Sequence, residues 1–118
     1  MQVLRSIFLD ASDTETKVWV ISANKTEQDI LCREELDALY AQHGPHRLKL
    51  HYVLSSAPPP GWTGSVGRIN NDLLKAEMPC PSEEGIVLVC GPEPMINHAV
   101  KPGLQAAGWD IEKYLVVF

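Results

Sequence analysis

Hydrophobic and polar positions change period several times along this chain. Met1, Val3, Leu4, Ile7 and Phe8 recur at helical spacing, which predicts an amphipathic helix over residues 1–9. Asp10 to Thr16 is polar and turn-like. The run from Lys17 to Ala23 is β-branched and aromatic, which predicts a strand. Its apolar continuity predicts burial on both faces, as in a parallel sheet. Asn24-Lys25 then turns the chain, and Thr26 can cap a helix, with Asp29 placed for a capping box. Ile30, Leu31, Leu36, Leu39 and Tyr40 give that helix an apolar stripe to about Gln42, and Gly44-Pro45 ends it.

From Arg47 to Ser55 the period drops to two, with Leu48, Leu50, Tyr52 and Leu54 on one face, which predicts a second strand. Ser55 to Thr63 holds three consecutive prolines and a glycine, hence a loop. Asn70 or Asn71 can cap a short helix from Asp72 to Met78, and Pro79 to Gly85 is a further loop. Ile86 to Cys90 is the most strand-like run. Met95 to Ala107 has a helical stripe of Ile96, Ala99, Val100 and Leu104, which Pro102 and Gly103 must bend or interrupt. Tyr114 to Phe118 closes the pattern as a strand. Helices and strands alternate, so the expected fold is α/β: a doubly wound parallel sheet, Rossmann-like, covered by helices.

Composition narrows the function. The chain has 118 residues, the size of one domain, and its 45% apolar and 21% charged residues are those of a soluble folded protein. A net charge of −5 leaves no basic footprint for nucleic acid. No apolar run approaches the roughly 20 residues that span a bilayer, and the first residues lack the order of a secretory signal. Cys32, Cys80 and Cys90 are odd in number with no C-x-x-C pair, against a disulfide framework or a zinc site. Reduced thiols fit the cytoplasm. The four histidines show no metal-ligand spacing, so no metal site is expected.

In open α/β sheets, ligands bind outside the C-terminal strand ends. Four segments qualify: Ala23 to Thr26, Ser55-Ser56, Gly64 to Arg68, and Cys90 to Met95. The last is the most informative. A thiol ends a strand, Gly91 lets a ligand approach the backbone, and Pro92 and Pro94 stiffen the turn. On residue types alone, a core cysteine before an ordinary strand-to-helix turn is the favoured reading.

The motifs decide between them. Cys90-Gly91-Pro92-Glu93-Pro94-Met95 resembles the C-G-P-x-P-M signature of the nicotinamide-binding domain of the ferredoxin-reductase superfamily. Ala23 to Leu31 resembles the A-N-x-T-E-x-D-I-L segment of its cytochrome b5 reductase branch, and Arg33 to Asp37 continues the match. Gly108 to Ile111 and Leu115 to Phe118 resemble the C-terminus of eukaryotic assimilatory nitrate reductases. The resemblance covers essentially residues 1–118. It implies that NADH or NADPH binds at the strand ends and passes hydride to FAD on a separate barrel domain. Electrons then leave singly to haem on a cytochrome b5-type domain and, in a nitrate reductase, to molybdopterin. The position of Cys90 in that family lies beside the nicotinamide and orients it. Asn24, Lys25 and Thr26 are candidates to line the ribose and pyrophosphate, with a plain turn and helix cap as an equal reading, and Gly91, Pro92, Pro94 and Met95 are candidate cofactor contacts. The resemblance implies that Phe118 packs near the junction of flavin and nicotinamide, with a core aromatic as the rival reading.

Two departures bear on the nucleotide. NADH-specific relatives commonly carry Asp where Ser55 stands, and a carboxylate there would repel a 2′-phosphate. Ser55 and Ser56 repel nothing. Arg68 replaces an aromatic residue, and Gly67-Arg68-Ile69 resembles fungal NADPH-using nitrate reductases. A guanidinium can stack on adenine and pair with phosphate. NADPH is therefore expected to be accepted. Trp62, in the proline loop, is a candidate shield for the adenine side.

The family's first strand and its Gly-rich phosphate turn do not occur here, so the chain is expected to begin just beyond them. The sheet's first strand, central in such folds, is then expected to be missing, and the FAD barrel to lie upstream. Three readings follow: the nucleotide-binding part of a nitrate reductase, the same part of a cytochrome b5 reductase, or a non-catalytic nucleotide-binding fragment.

Overall fold

Leu4 and Phe8 lie one helical turn apart, and the helix they define, α1 (Gln2–Phe8), buries both. It belongs to a computed structural model that describes residues 2–10, 12–13 and 15–118. Met1 of the expected apolar stripe, and Ala11 and Thr14 of the turn after it, lie outside the described residues. The chain forms two compact units, Met1–Gly67 and Arg68–Phe118.

The first unit is a parallel sheet with helices. Strand β1 (Val18–Asn24) pairs with β2 (Leu48–Leu54) along its whole length, from Val18 opposite Leu48 to Asn24 opposite Leu54. Both strands lie within one residue of the expected boundaries. β1 is half-buried along nearly all of it rather than buried on both faces, and Trp19 is half-buried with it. Helix α2 (Arg33–His43) sends Leu36 into a core with Leu4, Phe8 and Leu48. The ring of His43 stacks on Phe8 at 4.5 Å, and Arg5 forms a two-pronged pair with Glu35 at 2.6 and 2.7 Å.

The continuous helix expected from Thr26 to Gln42 is two pieces. A single turn of 3-10 helix (Glu27–Asp29) comes first, its Asp29 carboxylate accepting from the Thr26 amide at 3.1 Å and hydroxyl at 2.8 Å. The chain then leaves the helical path, because Cys32 adopts a left-handed conformation, φ 55°. Ile30 is buried, but Leu31 is 82% exposed, so adjacent apolar residues mark a corner and not a stripe. A further strand, β3 (Ser65–Val66), extends the sheet parallel to the end of β2. Its two residues are too few for periodicity to reveal.

The second unit also has parallel strands, β4 (Val87–Val89) and β5 (Leu115–Val117). The strand expected over Ile86–Cys90 is three residues long, and Ile86 is 61% exposed. Helix α3 (Asn71–Glu77) starts one residue early, capped by Asn70, whose side chain accepts from the Leu73 amide at 2.8 Å. A helical path then runs through α4 (Glu93–Met95), a π-helical stretch (Ile96–Val100) and α5 (Lys101–Ala106). The wide turn answers the expected effect of Pro102. Proline lacks an amide and its ring crowds the preceding turn, and a π stretch opens that turn without ending the helix. Gly103 is needed for close packing, since a Cβ there would collide with the Leu74 side chain. Val87, Val100, Leu104 and Trp109 form the core, and a last helical turn, α6 (Ile111–Tyr114), leads into β5. Among the described residues the strand pairings are parallel and helices alternate with them, as the α/β expectation requires.

Candidate functional site

The expected binding residues of the first unit meet at one end of its sheet. β1 and β2 are parallel, so both end together at Asn24 and Leu54. Beyond that end, the Ser55 amide donates to the Asn24 carbonyl at 3.0 Å and the Ser56 amide donates to the Lys25 carbonyl at 2.9 Å. Asn24, Lys25 and Thr26 are thereby laced to Ser55 and Ser56. The Asn24 side chain donates to Ser22 at 3.0 Å. Lys25 and Ser55 are exposed. Lys25 takes part in none of the ion pairs shown among the described residues, which leaves it able to meet an anion. Gly67 follows β3 with φ 115°, where other residues strain, while its amide donates to the Leu54 carbonyl at 2.7 Å.

In the second unit, Cys90 stands directly after β4 and is exposed, which removes the core-cysteine reading. The Phe118 amide donates to the Val89 carbonyl at 3.0 Å, so Cys90 and Phe118 lie at the same sheet end. Phe118 is 70% exposed. Pro92 and Pro94 are exposed and frame the start of α4, where the Pro92 carbonyl accepts from the Ile96 amide at 3.1 Å. Met95 is half-buried and folds its methyl toward Gly91, where a Cβ would collide with it. The absence of a side chain at Gly91 is therefore what lets Met95 pack beside the turn. Arg68 is exposed and heads this unit, and it too joins none of the ion pairs shown among the described residues.

One feature of the first unit escapes the sequence reading. A pocket of about 280 Å³ lies beside β2 and the proline loop, lined by Glu27, Arg33, Tyr52, Pro59, Trp62 and Gly64 among others. Trp62 thus has a place there, with its indole N–H donating to the Ser65 carbonyl at 3.2 Å. The Tyr52 hydroxyl donates to Asp37 at 2.7 Å. Burial, and then the Asp37 carboxylate, push the Tyr52 phenol well above its usual value, so it stays a donor. The proline run and Trp62 were the available sequence signals. Arg33 carried only its place in the family motif, because its aromatic partners are distant in sequence. Among the described residues no cluster of His, Cys, Asp and Glu has the makings of a metal site, and no helix is long and apolar enough to cross a membrane.

The surroundings match known proteins closely. The profile of the family described as "Oxidoreductase NAD-binding domain" matches residues 1–101. The NADH nitrate reductase of Solanum lycopersicum is 42% identical over 117 residues, 99% of this chain and 13% of that protein. NADH nitrate reductase 2 of Nicotiana tabacum is 43% identical over the same share of each. The chain spans only about 13% of the length of the curated relatives it matches. Among solved structures, the cytochrome b5 reductase domain of Ulva prolifera nitrate reductase superposes with a TM-score of 0.92 at 37% identity, over 99% of this chain and 44% of that one. The CS-b5R domains of human Ncb5or, in the NAD+ form, give 0.78 at 29% identity, over 99% of this chain and 32% of that one. The chain belongs to the oxidoreductase NAD-binding domain family, in its nitrate reductase and cytochrome b5 reductase branch.

Proposed function

We propose that this chain binds NADH or NADPH and presents its nicotinamide to an FAD carried elsewhere in a longer reductase of the nitrate reductase type. The observation that carries the reading is the lacing of Asn24 and Lys25 to Ser55 and Ser56 beyond the ends of two parallel strands. That is the place where open α/β sheets take nucleotides. The serine hydroxyls suit ribose hydroxyls, and Lys25 offsets phosphate charge in a chain of net charge −5. In the second unit, the exposed Cys90 can lie against a flat ring, which it orients and from which it takes no bond. When bound, FAD would supply the acceptor for the hydride and the conversion to single electrons. The residues of this chain bind, align and exclude water.

The remaining domains belong to the same proposal: an FAD barrel, a cytochrome b5-type haem domain and a molybdopterin domain, in a cytoplasmic protein. A cytochrome b5 reductase is the second reading, favoured by the likeness to the CS-b5R domains of human Ncb5or.

Both nucleotides are included because no carboxylate stands at Ser55 and because Arg68 is exposed. The named relatives are NADH nitrate reductases, so the test compares the two directly. In the complete reductase, Arg68→Ala should raise KM for NADPH by about tenfold and leave NADH nearly unchanged, since a 2′-phosphate loses its charged partner. Ser55→Asp should lower NADPH use by a similar factor. A strong NADH preference that survives Arg68→Ala unaltered overturns the inclusion of NADPH.

A further inference from the structure

Arg33 begins α2 and reaches in three directions. Its Nη1 pairs with Glu27 at 2.7 Å, and its Nε stands 3.6 Å from Asp37. Its guanidinium carbon lies 5.2 Å from the centre of the Tyr52 ring and 5.7 Å from that of Trp62. The two rings are 6.4 Å apart. These partners belong to different segments. Glu27 follows Asn24, Lys25 and Thr26, the residues that leave β1. Trp62 lies in the loop that leaves β2 through Ser55 and Ser56. The same loop folds back along β2, where a Cβ at Gly64 would strike the Tyr52 carbonyl.

We propose that Arg33 is a positioning residue that ties the segment after β1 to the segment after β2 and so presets the surface that receives the nucleotide. The inference rests on the function proposed above and adds a residue that acts through the two segments it holds. The segment after β1 is largely polar, and the segment after β2 carries the prolines at 58, 59 and 60. Two backbone hydrogen bonds lace them near the strand ends, and Arg33 clamps them farther out. A loop that is not held must be ordered when the ligand arrives, and that cost appears in binding. Once the nucleotide is bound the geometry is restored, so hydride transfer is spared. The signature is therefore a rise in KM with little change in kcat. Arginine suits the role because its flat, delocalised cation can lie against two aromatic faces while pairing with a carboxylate.

The test uses the complete reductase that carries this chain, assayed with NADH and with NADPH. Arg33→Met should raise KM for both by about tenfold, with kcat within about twofold. Arg33→Lys keeps the pair with Glu27 but loses the flat contact with Tyr52 and Trp62, so its KM should rise by about threefold. Inhibition by ADP, which lacks the nicotinamide half, should weaken in step, because the held segments serve the adenosine end. Unchanged KM and unchanged ADP inhibition alongside a lowered thermal midpoint would overturn the inference, leaving Arg33 a structural residue. If the methionine variant does not fold, the lysine variant decides, and a wild-type KM there overturns it equally. If the wild-type protein reduces its flavin with neither nucleotide, the functional reading fails and the inference falls with it.

Discussion

The two units solve the same task by different means. Met1–Gly67 aligns seven residues of β1 with seven of β2, then fastens its helices and loops with charged side chains: Arg5 to Glu35, Arg33 to Glu27, Arg47 to Asp13. Arg68–Phe118 pairs only three residues of β4 with three of β5 and is held by apolar packing around Leu104 and Trp109. Its binding segment needs little fastening, because Pro92 and Pro94 have few conformations to lose. The segment after β1 has no proline, and its Glu27 is where Arg33 pairs; from there the guanidinium reaches Trp62, beyond the prolines at 58, 59 and 60. Where the chain is stiff, packing behind it suffices; where it is free, polar contacts must hold it.

The largest effects should come from the cores. Leu48 and Leu104, both essentially inaccessible to solvent, belong to the first and second core respectively. Truncating either to alanine should cost about 3 kcal/mol, from lost burial and the cavity left behind. In the complete reductase, hydrogen exchange should show Leu48→Ala loosening mainly Met1–Gly67 and Leu104→Ala mainly Arg68–Phe118. Equal loss of protection in both units from either variant would break the comparison.

Gly103→Ala should come next, at about 2 kcal/mol, by overpacking. The new methyl meets the side chain of Leu74, whose own side chain is buried, so α3 and α5 must move apart. The change sharpens the claim that the second unit depends on close apolar fit, because no charged group is altered. A thermal midpoint equal to that of the wild type would show that the helices have slack.

Much of this was legible beforehand, for identifiable reasons. β1 and β2 announce themselves through runs of β-branched and alternating apolar residues, and Asn70 through its capping chemistry. Cys90 to Met95 stood out because proline and glycine constrain the backbone locally. What escaped was settled by contacts distant in sequence. The corner at Cys32 needs a left-handed residue, and cysteine is not one that advertises it. β3 exists because the end of β2 offers it partners. Arg33 reads as an ordinary helix residue until Tyr52 and Trp62 are brought under it.

The smallest effect is a pH dependence that belongs to the first unit's exterior. Three carboxylates there sit below their ordinary values. The Thr16 hydroxyl and amide lower Asp13, the Ser12 hydroxyl and amide lower Asp10, and the Arg5 guanidinium lowers Glu35. A carboxylate whose folded value is depressed binds its proton more readily in the unfolded chain. Its contribution is therefore whole above the ordinary values, 3.8 for Asp and 4.5 for Glu, and fades as pH falls through the lower folded values. These groups face solvent, so the loss is slight beside the core truncations. The double variant Asp13→Asn with Glu35→Gln should flatten the decline in thermal midpoint between about pH 5 and about pH 3. High salt separates the two causes. It should screen the exposed Arg5–Glu35 pair and leave the hydrogen bond from Thr16 to Asp13 largely intact. An acid decline as steep in the double variant as in the wild type would place the titrating groups outside this polar exterior. The contrast between a clamped unit and a packed one would then have to rest on Arg33 alone.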